Sequence, residues 1–298
     1  MTRKRDSPNG RRPRDVVAET LRERIRSGEF QPGSRLPTQR ELESEFGVSR
    51  SAVREALAAL TQDGLLEGVG RGASPTVAAS TDLGDAPRSA GIELGERLYA
   101  AFQADHVTID SFSLTTETLN GALSRPQVHV FEGILTPRTI TVRILIPDLS
   151  ARLALPRLME GPEDSRPLER LHEMQRVYMK SLELTLGTLK DRGRVSEVDL
   201  EFRTVKITPT HKLYLLNSTE ALMGYYPVLP DQEVEYRGEQ LTIYDVRGVE
   251  SRLFRFSSGP DSRDEQDTAF VEDSQLYFES LWSTIAEPFS PDRPDGPD

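Results

Sequence analysis

The chain has 298 residues, of which 36% are apolar and 29% are charged, a composition typical of a globular protein with room for two domains. No stretch approaches the roughly 20 apolar residues that a membrane helix needs, and the N-terminus lacks the apolar run of a signal peptide. We therefore expect a cytoplasmic protein with no membrane partner. The absence of cysteine excludes disulfides and thiolate metal sites.

The net charge of −11 is unevenly distributed along the chain. Residues 1–78 hold 14 basic and 11 acidic residues, a net charge of +3, whereas residues 79–298 hold 23 basic and 37 acidic residues, a net charge of −14. This asymmetry indicates a basic nucleic-acid module joined to an acidic remainder. A charge of +3 is only mildly basic, so the alternative is a solvated arm that binds no nucleic acid.

The N-terminal part of the chain predicts a polar arm followed by three helices. Residues 1–13 are polar and contain Pro, Asn and Gly, which predicts a disordered basic arm. A helix runs over residues 14–27, and Gly28 stops it. Residues 38–60 (TQRELESEFGVSRSAVREALAAL) then predict two short helices joined by a tight turn.

Local signals mark the helix boundaries within residues 38–60. Thr38 followed by Glu41 is a capping box, which satisfies free N–H groups at the start of the first short helix. Gly47 suits a helix end with positive φ, because glycine adopts that conformation at low steric cost. Ser49 caps the second short helix, whose apolar residues recur at i, i+4 and i+7 and predict a buried stripe of Val53, Leu57 and Leu60.

Another face of that helix carries side chains suited to a nucleic acid. Arg50 and Arg54 lie one turn apart with Ser51 beside them, at the N-terminal end of the helix. Small or charged side chains at this position suit entry into a major groove, where arginine donates two hydrogen bonds to a guanine edge. The alternative is an ordinary helical hairpin with solvated arginines, because helix-turn-helix patterns alone give false positives.

Residues 65–77 predict a β-hairpin after the third helix. Residues 65–67 and 75–77 are two short strands around a glycine-rich tip at residues 68–72. Three helices followed by a hairpin predict a winged helix, in which Arg71 at the wing tip reaches a minor groove or phosphates. The glycines also suggest a nucleotide-binding loop, but they lack the GxxxxGK[ST] spacing and open no helix, so we discount that interpretation.

Residues 14–78 resemble the DNA-binding domain of GntR-family bacterial transcription regulators. Four motifs carry the resemblance: GxxxPGxxLP at residues 28–37, REL at residues 40–42, GVSRxxVREAL at residues 47–57 and GLL at residues 64–66. The resemblance implies a winged-helix fold and dimeric binding to palindromic double-stranded DNA.

The same resemblance assigns DNA contacts to individual positions. Those that align with contacting residues of the family are Arg40, Arg50, Ser51 and Arg54, with Gly70 and Arg71 on the wing. We add the helix starts at Thr38 and Ser49, which would fix the duplex. Ala52 departs from the hydroxyl residue that some members have there, which puts one base or phosphate contact in doubt.

Residues 79–91 are small and polar and predict a linker, which leads to a second domain at residues 92–287. Residues 288–298 are acidic and Pro-rich and predict a disordered tail. Apolar periodicity predicts helices near residues 94–102, 115–123, 166–190 and 267–285. Strands are predicted at residues 106–110, 139–146, 198–205, 212–216, 221–228 and 253–257, with a hairpin at residues 237–238. Mixed helices and strands indicate an α/β or α+β domain.

The second domain shows no strong catalytic or metal-binding pattern. Its four histidines are never spaced at i, i+3 or i+4, which disfavours a metal site and also the helical metal-binding domain of one GntR subfamily. No GxSxG motif is present, and nothing points to a catalytic serine. We therefore expect no catalytic residue, no metal and no cofactor.

One segment resembles the HxKx4Dx6G motif of the phospholipase D superfamily. Thr210, Lys212, Asn217 and Gly224 have its spacing, with threonine at the position of the nucleophilic histidine and asparagine at that of the aspartate. TVRILIPD before a long helix and the closing YFESLWSTIAEPF look like parts of degenerate phospholipase D-like sensor domains attached to bacterial winged helices. The resemblance implies an α/β sensor domain that does not hydrolyse its ligand, with Thr210, Lys212 and Asn217 as a degenerate ligand site. The alternative is chance spacing at the start of an amphipathic strand.

These patterns together predict a sequence-specific DNA-binding transcription regulator, a repressor, that acts as a homodimer. Its second domain is expected to mediate dimerisation and to sense an unidentified ligand or protein. One alternative is a DNA-targeted phosphodiesterase or nuclease of the phospholipase D superfamily, which Thr210 and Asn217 disfavour. Another is a protein-binding adaptor without a small-molecule ligand.

Overall fold

In a computed structural model, the chain divides into two units, Met1–Arg88 and Ser89–Asp298. The structure describes residues 13–26, 30, 33–62, 65–67, 75–77, 88–148, 150–246, 248–259 and 262–291. Five predicted features therefore lie outside the described residues: the arm up to residue 12, the helix stop at Gly28, the wing tip with Gly70 and Arg71, the linker up to residue 87, and tail residues 292–298. Within the described part, no helix is long and apolar enough to span a bilayer.

The first unit has the order of elements that defines a winged helix. It consists of α1 (Pro13–Arg26), α2 (Gln39–Phe46), α3 (Arg50–Gln62), β1 (Leu66–Glu67) and β2 (Thr76–Val77). β1 and β2 pair antiparallel, with Leu66 opposite Val77. Arg35, in the extended segment before α2, forms a further bridge to Thr76, so the wing is anchored to the chain that enters the helix pair.

Aliphatic side chains from all three helices form the core of the first unit. The predicted stripe on α3 is confirmed, because Val53, Leu57 and Leu60 are each 0% exposed. They belong to one cluster with other fully buried residues, including Val17, Leu21 and Leu42. Burial of each such side chain contributes about 1.5–3 kcal/mol, so this cluster fixes the orientation of α3 within the unit.

The described part of the second unit contains four helices and eleven strands. The helices are α4 (Ala90–Ala101), α5 (Glu117–Glu132), α6 (Arg166–Asp191) and α7 (Glu265–Thr284). The strands are β3 (Arg88–Ser89), β4 (His106–Phe112), β5 (Thr139–Pro147), β6 (Arg157–Leu158), β7 (Glu197–Val205), β8 (His211–Leu216), β9 (Glu220–Tyr225), β10 (Val228–Tyr236), β11 (Glu239–Val246), β12 (Arg252–Ser257) and β13 (Glu287–Phe289).

An eight-stranded mixed sheet forms the centre of the second unit, in the order β13-β7-β5-β4-β8-β9-β12-β3. β4, β5 and β7 are parallel, and β8 returns antiparallel beside β4 with Leu213 opposite Phe112. The carboxyl ends of the three parallel strands therefore lie at one edge of the sheet, where β8 begins. Open α/β sheets bind ligands at this carboxyl edge.

Helices cover both faces of this sheet. α4, α5 and α6 bury residues such as Leu98, Leu119 and Leu186 against one face. On the other face, α7 buries Phe278 and Trp282. Because both faces are covered, the central strands are apolar on both sides, which accounts for the continuous β-branched run that predicted β5. The α/β class predicted for this domain is confirmed.

A second sheet has three strands, in the order β10-β11-β6. The predicted hairpin between β10 and β11 is confirmed, with its turn at Arg237 and Gly238, whose φ values are 51° and 82°. The Tyr236 hydroxyl donates to Glu173 on α6 at 2.9 Å, so the hairpin is tied to that helix. The two-residue strand β6 was too short to produce a period in the sequence.

Several boundaries differ from those predicted. α4 begins at Ala90, inside the predicted linker, and α5 continues past residue 123 to Glu132. The tail was predicted to be disordered from residue 288, which is wrong at its start: Glu287–Phe289 forms β13 and pairs with β7, with Phe289 opposite Phe202. Proline is tolerated in an edge strand, and three residues carry no alternating pattern, so the sequence did not reveal this strand.

Candidate functional sites

The turn between α2 and α3 is fixed by the local signals that the sequence predicted. The Thr38 backbone N–H donates to the Glu41 carboxylate at 2.7 Å, and Glu41 N–H donates to the Thr38 hydroxyl at 3.3 Å, which completes the capping box. The Thr38 N–H and the Thr38 hydroxyl, the latter at 2.9 Å, both donate to the Glu41 carboxylate and lower its pKa. Gly47 ends α2 with a φ of 62°, and Ala52 N–H donates to the Ser49 hydroxyl at 3.4 Å at the start of α3.

All predicted DNA-contacting residues in the described part of the chain are exposed: Thr38, Arg40, Ser49, Arg50, Ser51 and Arg54. The structure places Arg50, Ser51 and Arg54 in the first turns of α3, with the buried stripe on the other side of the helix. The Ser49 and Ser51 hydroxyls lie 2.9 Å apart. This surface presents two guanidinium groups and two hydroxyl groups, the kinds of donor that phosphates and base edges accept. Gly70 and Arg71 lie outside the described residues, so their predicted role stays a prediction.

Glu43 on α2 is a neighbour of this surface that the sequence analysis missed. Its carboxylate lies 4.0 Å from Nε of Arg50, whose side chain is 80% exposed. An exposed ion pair of this length contributes little to stability, so a phosphate or base edge can replace it at low cost. The pair joins two different helices, and only the angle between α2 and α3 brings its members together.

The three residues of the predicted ligand site in the second unit do not converge. Lys212 lies at the beginning of β8 and Asn217 follows its end, so about 16 Å separates their backbones at roughly 3.3 Å per residue. Asn217 has a structural role, because it accepts a hydrogen bond from Thr108 N–H at 2.9 Å and donates to the Ala101 carbonyl at 3.1 Å. Thr210 is exposed.

The β8–β9 hairpin accounts for the motif spacing. Lys212 and Gly224 are direct partners across the two strands, and Asn217 lies in the turn between them with a φ of 51°. A Cβ atom on Gly224 would lie 2.5 Å from the Arg252 carbonyl oxygen of the neighbouring strand, so only glycine fits there. The glycine at this spacing is therefore required by close strand packing.

Lys212 is the chemically unusual member of the set, because its side chain is only 1% exposed. Its ammonium group donates to the Gly248 carbonyl at 2.7 Å and to the Thr118 hydroxyl at 3.3 Å, and it lies 5.2 Å from the centre of the Tyr226 ring. Burial lowers the pKa of Lys212 to about 8 from its ordinary 10.5, against the opposing influence of Glu117. Among the described residues, no carboxylate forms a salt bridge with this ammonium.

Other buried polar groups surround the carboxyl end of β4, and the sequence analysis did not find them. Leu114 N–H donates to the Tyr226 hydroxyl at 3.1 Å, and Gln175 on α6 donates to the Leu114 carbonyl at 2.8 Å. The Tyr178 hydroxyl donates to Glu117 at 3.0 Å, and burial is the main cause that raises the pKa of Tyr178 to about 12. These residues come from four separate elements, so no spacing in the sequence could group them.

A cleft of about 440 Å³ opens in the second unit, lined by the segment that follows β5 and by the start of α6, from Ser150 to Leu168. Its lining includes Arg152 and Glu163, which form an exposed ion pair, and does not include Lys212. Within the part of the chain that the structure describes, no cluster of three metal-ligating side chains occurs. The cleft and the Lys212 cluster are therefore separate features.

The N-terminal part of this chain is similar to bacterial regulators. Residues 13–74 match the family described as "Bacterial regulatory proteins, gntR family". The uncharacterized HTH-type transcriptional regulator YieP of Escherichia coli (strain K12) is 53% identical over 51 residues, which are 17% of this chain and 22% of YieP. The mannosyl-D-glycerate transport/metabolism system repressor MngR of the same organism is 47% identical over 53 residues, which are 18% of this chain and 22% of MngR.

Among solved structures, AraR(DBD) in complex with operator ORX1 is 32% identical, covers 26% of this chain and 93% of the AraR chain, and has a TM-score of 0.23. The chain spans about a fifth of the length of the curated relatives it matches. The phospholipase D-like identity predicted for the second unit gains no support from these matches, so that unit is established only as α/β. The first unit carries the helix-turn-helix DNA-binding domain of the gntR family of bacterial regulatory proteins.

Proposed function

We propose that this protein is a cytoplasmic transcriptional repressor that binds operator DNA through its first unit and senses an effector through its second. The observation that carries the proposal is the exposed face of α3, where Arg50 and Arg54 stand one turn apart on a helix whose other face is fully buried. The match of residues 13–74 to the gntR family supports it, as does the naming of MngR as a repressor.

Arg50 and Arg54 read base edges in the major groove in this proposal. Each bidentate contact to guanine contributes about 1–3 kcal/mol of base discrimination. The remaining predicted residues position the duplex through its phosphates: Thr38, Arg40, Ser49, Ser51, Gly70 and Arg71. Phosphate contacts of this kind make affinity fall steeply with salt.

The repressor acts as a homodimer on a palindromic operator. A two-fold operator presents the same half-site twice, so each copy of α3 reads one half. The second unit supplies the dimer contacts, because its acidic composition is repelled by DNA and leaves it available to bind another protein surface.

The effector carries an anionic group that Lys212 recognises. A buried ammonium is costly unless it is paired, and the acceptors of its two hydrogen bonds, Gly248 and Thr118, are both neutral. Glu117 acts on the ammonium only from a distance, so an anion would supply a direct countercharge at the carboxyl edge of the parallel strands. Gln175 on α6 belongs to the same region, since it donates to the Leu114 carbonyl and the Leu114 N–H donates to the Tyr226 hydroxyl beside Lys212.

Selection of bound duplexes from a random pool tests the DNA-binding part of the proposal. The wild-type protein is expected to enrich one palindromic site, and Arg50→Ala is expected to lose preference at a symmetric pair of positions. Arg252→Ala removes an exposed arginine of the second unit and serves as the charge-matched control, which should keep the site. Enrichment of the same site by Arg50→Ala would show that Arg50 is not the reader.

An enzymatic role has a direct test in the same preparation. If the protein released product from phosphodiester substrates and Lys212→Ala abolished the release, the repressor proposal would give way to a DNA-targeted phosphodiesterase. Threonine at position 210 offers no imidazole nucleophile, so we expect no release.

A further inference from the structure

The loop of residues 248–251 between β11 and β12 covers the ammonium of Lys212. The Gly248 carbonyl accepts two hydrogen bonds, from Lys212 Nζ at 2.7 Å and from Ser251 N–H at 3.1 Å. Of the groups around the ammonium, Thr118 and Tyr226 are buried, whereas Gly248 is half-buried and its neighbour Val249 is 39% exposed. The loop is therefore more exposed than the other groups around Lys212, and a solute that displaces it reaches the ammonium.

The same loop is bonded to the first residues of the second unit. The Ser251 carbonyl accepts a hydrogen bond from Ala90 N–H, the first residue of α4, at 2.7 Å. A Cβ atom placed on Gly91 would lie 3.3 Å from a methyl group of Val249, so the loop packs directly on this turn of α4. Three consecutive hydrogen bonds thus connect Lys212, Gly248, Ser251 and Ala90.

The Gly248 carbonyl occupies the position that an oxygen of a ligand would take. It is a neutral acceptor for a charged donor, so the bond has no attraction between two full charges. An oxyanion in the same place would add that Coulombic attraction, which is stronger beneath the protein surface than in water. The displaced carbonyl needs only solvent, because it already lies at the surface side of the cluster.

We propose that loop 248–251 is a latch that an oxyanion effector opens, and that opening releases the start of α4. With no effector bound, the Gly248 carbonyl holds Lys212 and Ser251 holds Ala90. With an oxyanion on Lys212, the loop leaves the ammonium and Ala90 N–H loses its acceptor. The chain passes into α4 through β3, the strand that pairs with β12 at the boundary of the two units, so the two states differ in how firmly this junction is held. This inference rests on the proposed function of Lys212 as the effector site.

The two states differ in contacts, which is what a ligand needs in order to shift an equilibrium. The effector binds only the open state, because the closed state leaves no room at an ammonium that is 1% exposed. Short loops that exchange one set of hydrogen bonds for another are common elements of protein switches. The latch therefore couples ligand binding to the edge of the sheet where β3 pairs with β12 and the chain enters α4.

Hydrogen exchange of the full-length protein tests the latch without knowledge of the natural effector. Lys212→Met removes the ammonium and keeps most of the side-chain volume, and it should speed exchange at the Ser251 and Ala90 amides roughly tenfold, as expected for loss of a hydrogen bond to a charged group. Lys190→Met makes the same change at an exposed lysine in the last turn of α6, and should leave both amides unchanged. Unchanged exchange in Lys212→Met, with thermal melting that shows a folded protein, would overturn the latch.

Inorganic phosphate is the probe for the ligand class. At millimolar concentration and constant ionic strength it should speed exchange at the same two amides in the wild-type protein and have no effect in Lys212→Met. If phosphate did not speed exchange in the wild-type protein although Lys212→Met exchanged faster, the latch would stand. The assignment of an oxyanion as its effector would then be wrong.

Binding to the selected operator separates failure of the latch from failure of the proposed function. Lys212→Met should change operator affinity at least roughly fivefold, within the range typical of allosteric coupling, while Lys190→Met should not. Faster exchange with unchanged affinity would contradict the regulatory role of the latch. If the wild-type protein selected no operator at all, the repressor function itself would fail, whatever the exchange data showed.

Discussion

Arg143 and Asp110 lie side by side on the parallel strands β5 and β4 and form a two-pronged ion pair. Nε of Arg143 donates to one carboxylate oxygen at 2.7 Å, and Nη2 donates to the other at 2.8 Å. The guanidinium also donates to Glu279 on α7 at 2.8 Å and lies 5.1 Å from the Phe278 ring. These contacts raise the pKa of Arg143 and tie the sheet to the helix that covers it.

Loss of this ion pair should destabilise the second unit. Arg143→Met keeps the contact with the aromatic rings but leaves Asp110 with Gln275 as its remaining described partner, at 3.0 Å. The Asp110 side chain is only 11% exposed, so we expect a loss of about 3 kcal/mol in the free energy of unfolding, measured by urea denaturation.

A double-mutant cycle with Asp110→Asn controls for simple loss of packing. Because both charges are then absent, the double variant should be less destabilised than the sum of the single variants. Arg152→Met, which breaks the fully exposed pair with Glu163, should have no measurable effect. If the loss of unfolding free energy in the double variant equalled the sum of the losses in the single variants, Asp110 and Arg143 would not be coupled.

Thr38→Ala should loosen the start of α2. The substitution removes the side-chain acceptor for Glu41 N–H, and loss of such a cap costs about 1 kcal/mol of helix stability. Faster amide exchange at Glu41 is the direct measurement, and operator affinity should fall because α2 supports the turn into α3. Thr61→Ala on α3 is the matched control: it removes a hydroxyl bonded only to the Leu57 carbonyl of its own helix, and should be neutral.

Gly224→Ala should be strongly destabilising, in contrast to alanine at another glycine. Its Cβ atom would lie 2.5 Å from the Arg252 carbonyl oxygen and 2.9 Å from a Leu253 methyl group, which forces β9 and β12 apart. We expect a loss of about 3 kcal/mol or failure to fold. Gly187→Ala, on α6 with open space around its Cβ, should stabilise the protein by about 0.5–1 kcal/mol. If the two variants shifted the melting temperature similarly, close packing of β9 on β12 would not explain the glycine at position 224.

Lys212 should make the free energy of unfolding depend on pH in the alkaline range. Its pKa is about 8 in the folded protein and near 10.5 when exposed, so both states are protonated below pH 8 and the folded state bears the full cost of the buried charge. Between pH 8 and 10.5 the unfolded chain binds more protons, and stability due to this group therefore rises with pH.

The matched measurement compares the wild-type protein with Lys212→Met across this pH range. The difference in their free energies of unfolding should shift by up to about 3 kcal/mol in favour of the wild type as pH rises. Tyr178, Tyr214 and Tyr226 are retained in both proteins, so their raised pKa values largely cancel in the difference. A difference that stays constant from pH 7 to 10.5 would contradict a depressed pKa at Lys212.

Much of the first unit could be predicted because its signals are local. The capping box at Thr38, the positive φ at Gly47 and the stripe of Val53 and Leu57 depend on residues within a few positions of one another. Backbone hydrogen bonding and helical periodicity act at that range, so the sequence alone contains them. Helices and most strands of the second unit were predicted for the same reason, whereas β6 and β13 are too short to carry a period.

The sequence by itself determined that a gntR-type helix pair is present, and which face of α3 carries its arginines. It also marked Lys212, Asn217 and Gly224 by spacing, but it could not assign their roles. Only the tertiary structure decided that Gly224 is needed for strand packing, that Asn217 closes a turn, and that Lys212 is buried beneath the Gly248 carbonyl. The physical reason is that burial and electrostatic environment depend on contacts between distant segments, and no local pattern records which segments will meet.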